Sequence, residues 1–384
     1  MNLPLKTMIV MGTRPEVVKL APVALELRRH PHQFRVMLVG TGQHRELVPQ
    51  QLKLFRLRLD EDLRVMKRRQ TLADITARTV QRMDSLLVEK TPDVVIVEGD
   101  TTAVLAAGMA AFYRQIPVAH VEAGLRSGDM YDPFPEEMNR RLVSGFAEVH
   151  FAPTSRAREN LLRENVPADR IFVTGNTTID SLLIAARRKP RRAAIPAASL
   201  RSKRLILVTA HRRESWDEGI REICRALADL VDLFPDIVVV YAVHPNPIVR
   251  KQAEEVLAGR ERIHLIDPPG YVQFVDLMKR SHLILTDSGG VQEEAPSLRK
   301  PLLVMRRTTE RTEGLAAGCS RLVGTSRKDI VSETARLLND PKLYERMVAS
   351  GNPYGDGKAS SRIRRALAYH FQLTRRRPAD FGGA

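Results

Sequence analysis

Carboxylates and cations gather in this sequence where short apolar runs stop. The run Val94 to Val97 is followed by Glu98, Gly99, Asp100, Thr101 and Thr102, and the run Val118 to Val121 by Glu122, Ala123, Gly124, Leu125 and Arg126. Carboxylates at the ends of neighbouring strands are suited to taking a proton from one atom and returning it to another. Asp100 also suits the N-cap of the alanine-rich segment after it, a reading that fits Glu122 poorly because glutamate is not a favoured cap. Farther on, Asp132, Pro133, Phe134 and Pro135 lead into Glu136, Glu137, Met138, Asn139 and Arg140. Pro135 suits a first helical position, and acids suit a first turn. Glu136 and Arg140, four apart, share a helix face, so the arginine is expected to pair with that carboxylate and hold it.

The other loops carry cations and small residues. Gly12, Thr13, Arg14, Pro15 and Glu16 follow the first apolar run, with Lys19 about one turn later. This is neither the GxGxxG fingerprint nor the GxxxxGK[ST] loop, which lowers the odds of NAD or ATP as ligand. His211, Arg212 and Arg213 follow the run Leu205 to Thr209. After Leu283 to Thr286 come Asp287, Ser288, Gly289, Gly290, Val291, Gln292, Glu293 and Glu294. Small residues at a helix start let backbone N–H groups approach phosphate oxygens, and an acid one turn in can take ribose hydroxyls.

Parallel sheets made of βαβ units are what these loops require, and the chain alternates short β-rich runs with amphipathic stretches of helical length. One series of strands is expected at Thr7 to Met11, Phe34 to Val39, Val94 to Val97, Val118 to Val121, Val149 to Phe151 and Ile171 to Thr174. A second is expected at Leu205 to Thr209, Val238 to Val243, Ile263 to Ile266, Leu283 to Thr286 and Leu302 to Met305. Between them an Arg-, Ala-, Ser- and Pro-rich stretch without apolar period reads as a linker. The expected division is 1–187, a linker 188–202, and 203–357, with a helix at 358–377 and a fraying PADFGGA tail.

The 384 residues suit two domains, and 43% hydrophobic with 28% charged residues excludes a largely disordered chain. The balance of 61 Lys+Arg against 45 Asp+Glu, net +16, fits an anionic partner. With only 5% aromatic residues to stack bases, nucleic acid is not the expected one. Cys224 and Cys319 make no disulfide framework and no zinc spacing, so no metal is expected. No apolar stretch approaches the ~18 residues of a membrane span, and a cytoplasmic protein without membrane insertion is expected.

Eight segments taken in order resemble the non-hydrolysing UDP-N-acetylglucosamine 2-epimerases: GTRPEVVKLAPV (Gly12 to Val23), TGQHREL (Thr41 to Leu47), GDTT (Gly99 to Thr102), HVEAGLRSGD (His120 to Asp129), FPEEMNR (Phe134 to Arg140), TGNTTID (Thr174 to Asp180), TAHRRES (Thr209 to Ser215) and TDSGGVQEEAPSLRKPLLVMR (Thr286 to Arg306). The resemblance implies an α/β fold of two Rossmann-like domains in the glycosyltransferase-B arrangement, with the active site in the interdomain cleft and the C-terminal helix returning to the first domain. It implies a cytoplasmic homodimer without cofactor that epimerises UDP-N-acetylglucosamine at C2 to UDP-N-acetylmannosamine, by anti elimination of UDP and re-addition, for cell-surface polysaccharide synthesis.

By the same matching, Asp100, Glu122 and Glu136 are the catalytic acids, with Arg140 and His211 as partners. Arg14, Lys19, Ser288, Gly289, Gly290, Glu294 and Arg311 hold the nucleotide, with Phe274 near the uracil. Gln43, Arg69 and His244 line an allosteric site for a second UDP-N-acetylglucosamine. Pro269 and Gly270 depart from the family's pattern in the base-binding loop, and Glu98 stands where relatives often carry His. A 2-epimerase of a UDP-diacetamido-uronic acid, a hydrolysing epimerase and a UDP-sugar glycosyltransferase are the competing readings.

Overall fold

The computed structural model describes residues 3–42, 47–67, 70–200, 203–212 and 218–382. The chain forms two units: one runs to Ser181 and resumes at Tyr354, and the other is Leu182–Pro353. In the first, the strands are β1 (Leu5–Met11), β2 (Phe34–Gly40), β3 (Glu61–Asp62), β4 (Val94–Glu98), β5 (Val118–Val121), β6 (Val149–Ala152) and β7 (Ile171–Val173). They form a sheet in the order β3-β2-β1-β4-β5-β6-β7. Every adjacent pair is parallel. Strands covered by helices on both faces are apolar along their whole length, and β4 is buried at every position.

The second unit contains β8 (Arg204–Thr209), β9 (Ile237–Ala242), β10 (Ile263–Ile266), β11 (Leu283–Thr286), β12 (Leu302–Val304) and β13 (Ser320–Leu322), in the order β10-β9-β8-β11-β12-β13. Its strands are likewise parallel. The pleat divides its core in two. Ile206, Val208, Val239, Tyr241, Leu283 and Leu285 face one layer with Ile223, Leu227 and Leu230, whereas Leu205, Leu207, Val238, Val240 and Ile284 face the other with Val275 and Met278.

The expected strands are found with shifts of a residue or so at their ends; β3 and β13 were not anticipated, being two or three residues long and largely polar. The units change over at Ser181, earlier than residue 187. Leu182 and Ala185, on the helix Thr177–Ala186, are buried in the second unit's core with Ile195 and Leu205. Part of the stretch read as linker therefore packs on the second unit, where Gln273 donates to the Arg192 carbonyl at 2.9 Å.

The C-terminal helix spans Ala359–His370, shorter than 358–377, and Gln372 beyond it lies in the left-handed region (φ 58°). It packs on the helix Arg14–Arg28, and Arg364 reaches Glu26 at 3.1 Å. The tail does not fray where expected. Phe381 is 8% exposed, its N–H donates to the Val173 carbonyl at 2.7 Å, and Asp380 accepts from the Val173 N–H at 2.9 Å. The tail thereby covers β7, which ends its sheet and would otherwise expose unpaired backbone. Arg362 lies over the Phe381 ring, 5.2 Å from its centroid.

Replacing Phe381 by Ala is expected to cost roughly 3 kcal/mol, the low end for a buried aromatic because a tail can detach without unfolding the rest. Urea denaturation would read the loss, and limited proteolysis would show the tail cut faster. An unchanged midpoint and an equally protected tail would mean that the docking contributes nothing.

Candidate active site

Both sheets reverse their strand order at one place, between β1 and β4 in the first unit and between β8 and β11 in the second. Helices leave to opposite faces there, so the carboxyl ends of these strands border a crevice where α/β folds bind ligands. The candidate residues after β1, β4, β8 and β11 stand at these two reversals.

In the first unit, Gly12 follows β1 so closely against Thr41 that a Cβ would lie 2.0 Å from its hydroxyl. Thr13 and Glu16 then form a capping box on the helix Arg14–Arg28. The buried Glu16 carboxylate accepts from the N–H groups of Gly12 (2.5 Å) and Thr13 (3.2 Å) and from the Thr101 hydroxyl (3.0 Å), linking the turn after β1 to the turn after β4. Burial pushes Glu16 above the usual carboxylate range against these donors. Arg14 opens the helix and is exposed.

Asp100 is not the N-cap of the helix Thr102–Tyr113. Thr101 is, accepting from the Val104 N–H at 3.3 Å, and this leaves the Asp100 carboxylate for Arg140, 2.6 Å away. Asn139 donates to the Asp100 carbonyl at 2.8 Å. Arg140 does not take Glu136 as expected; its second partner is Glu137, at 3.2 Å. Glu137 is the buried acid of the pair and accepts from the Ser127 N–H at 2.9 Å, whereas Glu136 begins the helix Glu136–Phe146 partly exposed. Pro135 precedes that helix rather than beginning it. Burial raises the Glu137 carboxyl, but the Ser127 N–H and Arg140 outweigh it and hold it below its ordinary value.

Glu122 follows β5 with left-handed backbone (φ 61°), a conformation that costs a non-glycine residue roughly 1 kcal/mol or more. One carboxylate oxygen meets Lys19 Nζ at 2.6 Å, and the other accepts from the Asn176 amide at 2.8 Å. Lys19, expected at the nucleotide, also lies 2.9 Å from Glu98. Two residues later Gly124 (φ 88°) passes so near the helix Ser155–Arg163 that a Cβ would sit 2.2 Å from the Ala157 carbonyl.

In the second unit, the buried Asp287 after β11 accepts from the N–H groups of His211 (2.6 Å) and Arg212 (2.7 Å) after β8, and its other oxygen lies 2.9 Å from His211 Nδ1. Burial raises Asp287, yet the His211 ring and these N–H groups hold it below the usual range. A carboxylate on Nδ1 orients the imidazole and directs Nε2 outward. The His244 ring stacks on His211, centroids 6.0 Å apart. Ser288 precedes the short helix Gly289–Glu294, where a Cβ on Gly289 would come within 3.2 Å of the Arg311 guanidinium; Gly290 is exposed. Arg311 pairs with Glu293 and Glu310, each at 3.0 Å. Tyr271 donates to Glu294 at 2.7 Å, and burial pushes Glu294 up to about 8. Phe274 is half-buried on the helix Tyr271–Arg280, and Pro269, Gly270 and Gln273 line a cavity of about 680 Å³ with Arg192 and Ile195.

Gln43 and Arg69 lie outside the described residues. Among the described residues no group of three His, Cys, Asp or Glu side chains could hold a metal ion, and no helix is long and apolar enough to cross a membrane. Sequence reasoning gave no role to Glu16, Glu137, Asn176 or Asp287. Two had a local signal, Glu137 by its spacing of three and four from Arg140 and Arg141 and Glu16 by the capping-box spacing of three from Thr13, whereas Asn176 and Asp287 act across distant segments.

A sequence-family profile described as UDP-N-acetylglucosamine 2-epimerase matches residues 25–368. The chain is 48% identical over 379 residues to the UDP-N-acetylglucosamine 2-epimerase of Bacillus subtilis (strain 168), covering 99% of each chain. A solved structure from Listeria monocytogenes is similar with a TM-score of 0.93 at 44% identity, over 98% of this chain and 99% of that one. So is the UDP-GlcNAc 2-epimerase from Neisseria meningitidis bound to UDP-GlcNAc, with a TM-score of 0.84 at 44% identity, over 94% of this chain and 99% of that one.

Glu137→Gln is expected to lower stability near neutral pH by on the order of 2 kcal/mol, because hydrogen bonds to a charged group are lost. The folded-state carboxyl lies below its ordinary 4.5, so its contribution is present above that value and is lost as pH falls through the folded-state one. In thermal melts the gap between wild type and variant should therefore be full near neutrality and close in acid. A gap that is constant with pH would mean that Glu137 acts by packing alone.

Proposed function

Because the chain belongs to the UDP-N-acetylglucosamine 2-epimerase family, we propose that it interconverts UDP-N-acetylglucosamine and UDP-N-acetylmannosamine by anti elimination of UDP and re-addition. The observation that carries this reading is the pair of carboxylates after the neighbouring strands β4 and β5, held by different cations: Asp100 by Arg140 and Glu122 by Lys19. Inverting C2 takes a proton from one face of the sugar and returns one to the other, which calls for two separately positioned proton-transfer groups. Glu136, partly exposed at the start of its helix, is the third acid of this reading.

The departing diphosphate needs cations and N–H donors, because negative charge grows on it as the C1–O bond breaks. In the second unit His211, oriented by Asp287, is assigned this task with Arg311 and the Ser288–Gly290 turn; in the first unit Arg14 and Lys19 are the cations assigned to it. Glu294, held by Tyr271, takes the ribose hydroxyls, and Phe274 lies at the uracil.

In deuterated water, NMR should show UDP-N-acetylmannosamine forming from UDP-N-acetylglucosamine without added NAD or metal, with deuterium at C2. Asp100→Asn, Glu122→Gln and Glu136→Gln should each slow turnover by ~100-fold or more with UDP affinity within a few fold. Product without deuterium, or near-normal turnover in all three variants, would overturn the reading. Free N-acetylmannosamine as the main product would assign the hydrolysing reaction instead.

We further propose that a second UDP-N-acetylglucosamine acts as activator by contacting His244, whose ring stacks on that of the proposed catalytic residue His211. Pure UDP-N-acetylmannosamine should then convert only after a lag, abolished by a trace of UDP-N-acetylglucosamine. Full-rate conversion from the first seconds would exclude the activator.

A further inference from the structure

Glu137 is a fully buried carboxylate to which the proposed reaction gives no task. It stands three residues before Arg140 on the helix Glu136–Phe146, a spacing that places both on one face. Its Oε2 accepts from the Ser127 N–H at 2.9 Å and from Arg140 Nη1 at 3.2 Å, and its Oε1 accepts from Arg141 Nε at 3.3 Å. The other edge of the Arg140 guanidinium faces Asp100. Nε donates to Oδ2 at 2.9 Å, and Nη2 lies 2.6 Å from that same oxygen. Among the described residues none donates to Asp100 Oδ1.

An arginine and a carboxylate left to themselves pair fork to fork, two N–H groups on two oxygens. Arg327 does so with Asp229, at 2.6 and 2.7 Å, and Arg362 with Asp356, at 2.7 and 2.8 Å. Arg204 and Asp236 pair likewise. Among the described residues, none of these three arginines has a second carboxylate on its guanidinium, whereas Arg140 has Glu137. The Ser127 N–H and Arg140 hold the Glu137 carboxyl below its ordinary value despite burial, so it draws Nη1 as a full charge near neutral pH. Asn139 fixes the Asp100 backbone through its carbonyl, which leaves the carboxylate to be oriented by Arg140. We propose that Glu137 is a positioning residue for Asp100: by holding Arg140 Nη1 it offsets the guanidinium onto Oδ2 and keeps Oδ1 open for the proton exchanged with C2. For the epimer whose C2–H faces Asp100, that bond gives way to an Oδ1–H bond, its electron pair forms the C1–C2 double bond, and UDP leaves with the C1–O pair. Forming that epimer from the elimination product reverses each change. Without Glu137 the guanidinium closes fork to fork on Asp100 and engages Oδ1. The inference rests on the proposed role of Asp100 in proton transfer for its kinetic consequence, but not for the placement of Arg140.

Glu137→Met keeps the length of the side chain and removes its acceptor oxygens. Crystal structures of wild type and variant should show the Arg140 N–H groups moving from Oδ2 alone to both Asp100 oxygens. In epimerisation assays kcat should fall about tenfold, with KM and UDP affinity within a few fold. Made in Asp100→Asn, the same substitution should lower kcat by less than about twofold further, because residues that act through one another are not additive. An Arg140 still confined to Oδ2, or a kcat equal to that of the wild type, would overturn the proposal. So would the full tenfold loss repeated on top of Asp100→Asn, since Glu137 would then act by packing or through the turn at Ser127. Should Glu137→Met fail to fold, Glu137→Gln decides by the same measurements. A neutral oxygen holds an arginine less tightly than a carboxylate, so kcat should fall about threefold, and an unmoved Arg140 or an unchanged kcat would overturn the proposal. If the wild type turns over no UDP-N-acetylglucosamine, the proposed function fails while the crystal structures still decide the placement of Arg140.

Discussion

A parallel sheet whose strand order reverses must send its connecting helices to opposite faces, and the two turns at the reversal cannot cover each other. Both units are built around this constraint, at β1 and β4 and at β8 and β11. Each closes the opening with a buried carboxylate that crosses it. Glu16, on the β1 side, accepts from Thr101 on the β4 side; Asp287, on the β11 side, accepts from His211 and Arg212 on the β8 side. These acids satisfy N–H groups that helix starts and strand ends would otherwise leave unpaired, and so fix the backbone on which Asp100 and His211 are mounted.

Burying so much negative charge requires cations at specific distances, and the first unit distributes them unequally. Arg140 serves Asp100 and Glu137, whereas Lys19 serves Glu98 and Glu122. A guanidinium presents its N–H groups to two carboxylates in one fixed plane, whereas an ammonium is a compact charge with three donors on a flexible stem. The two candidate proton-transfer groups thus sit in different electrostatic surroundings although they follow adjacent strands. The left-handed backbone at Glu122 adds strain that the fixed neighbours Lys19 and Asn176 hold in place.

The sequence by itself determined the alternation of strands and helices and the loops that carry chemistry, because burial on both faces imposes continuous apolar runs and the polar residues fall where those runs end. It did so for β4, β5, β8 and β11, and for the family through segments matched in order. It did not disclose β3 and β13, which are too short to carry a period, nor the docked tail, whose PADFGGA residues look like an ordinary frayed end. The tertiary structure alone decided the strand order and with it the partners. Arg140 turns to Asp100, forty residues away, instead of the local Glu136, and Lys19 joins Glu122 from 103 residues away. Helical spacing names which side chains share a face, but an ion pair between distant segments depends on which strands lie side by side. That is settled by packing two layers of helices on a sheet, and no local pattern of residue types encodes it.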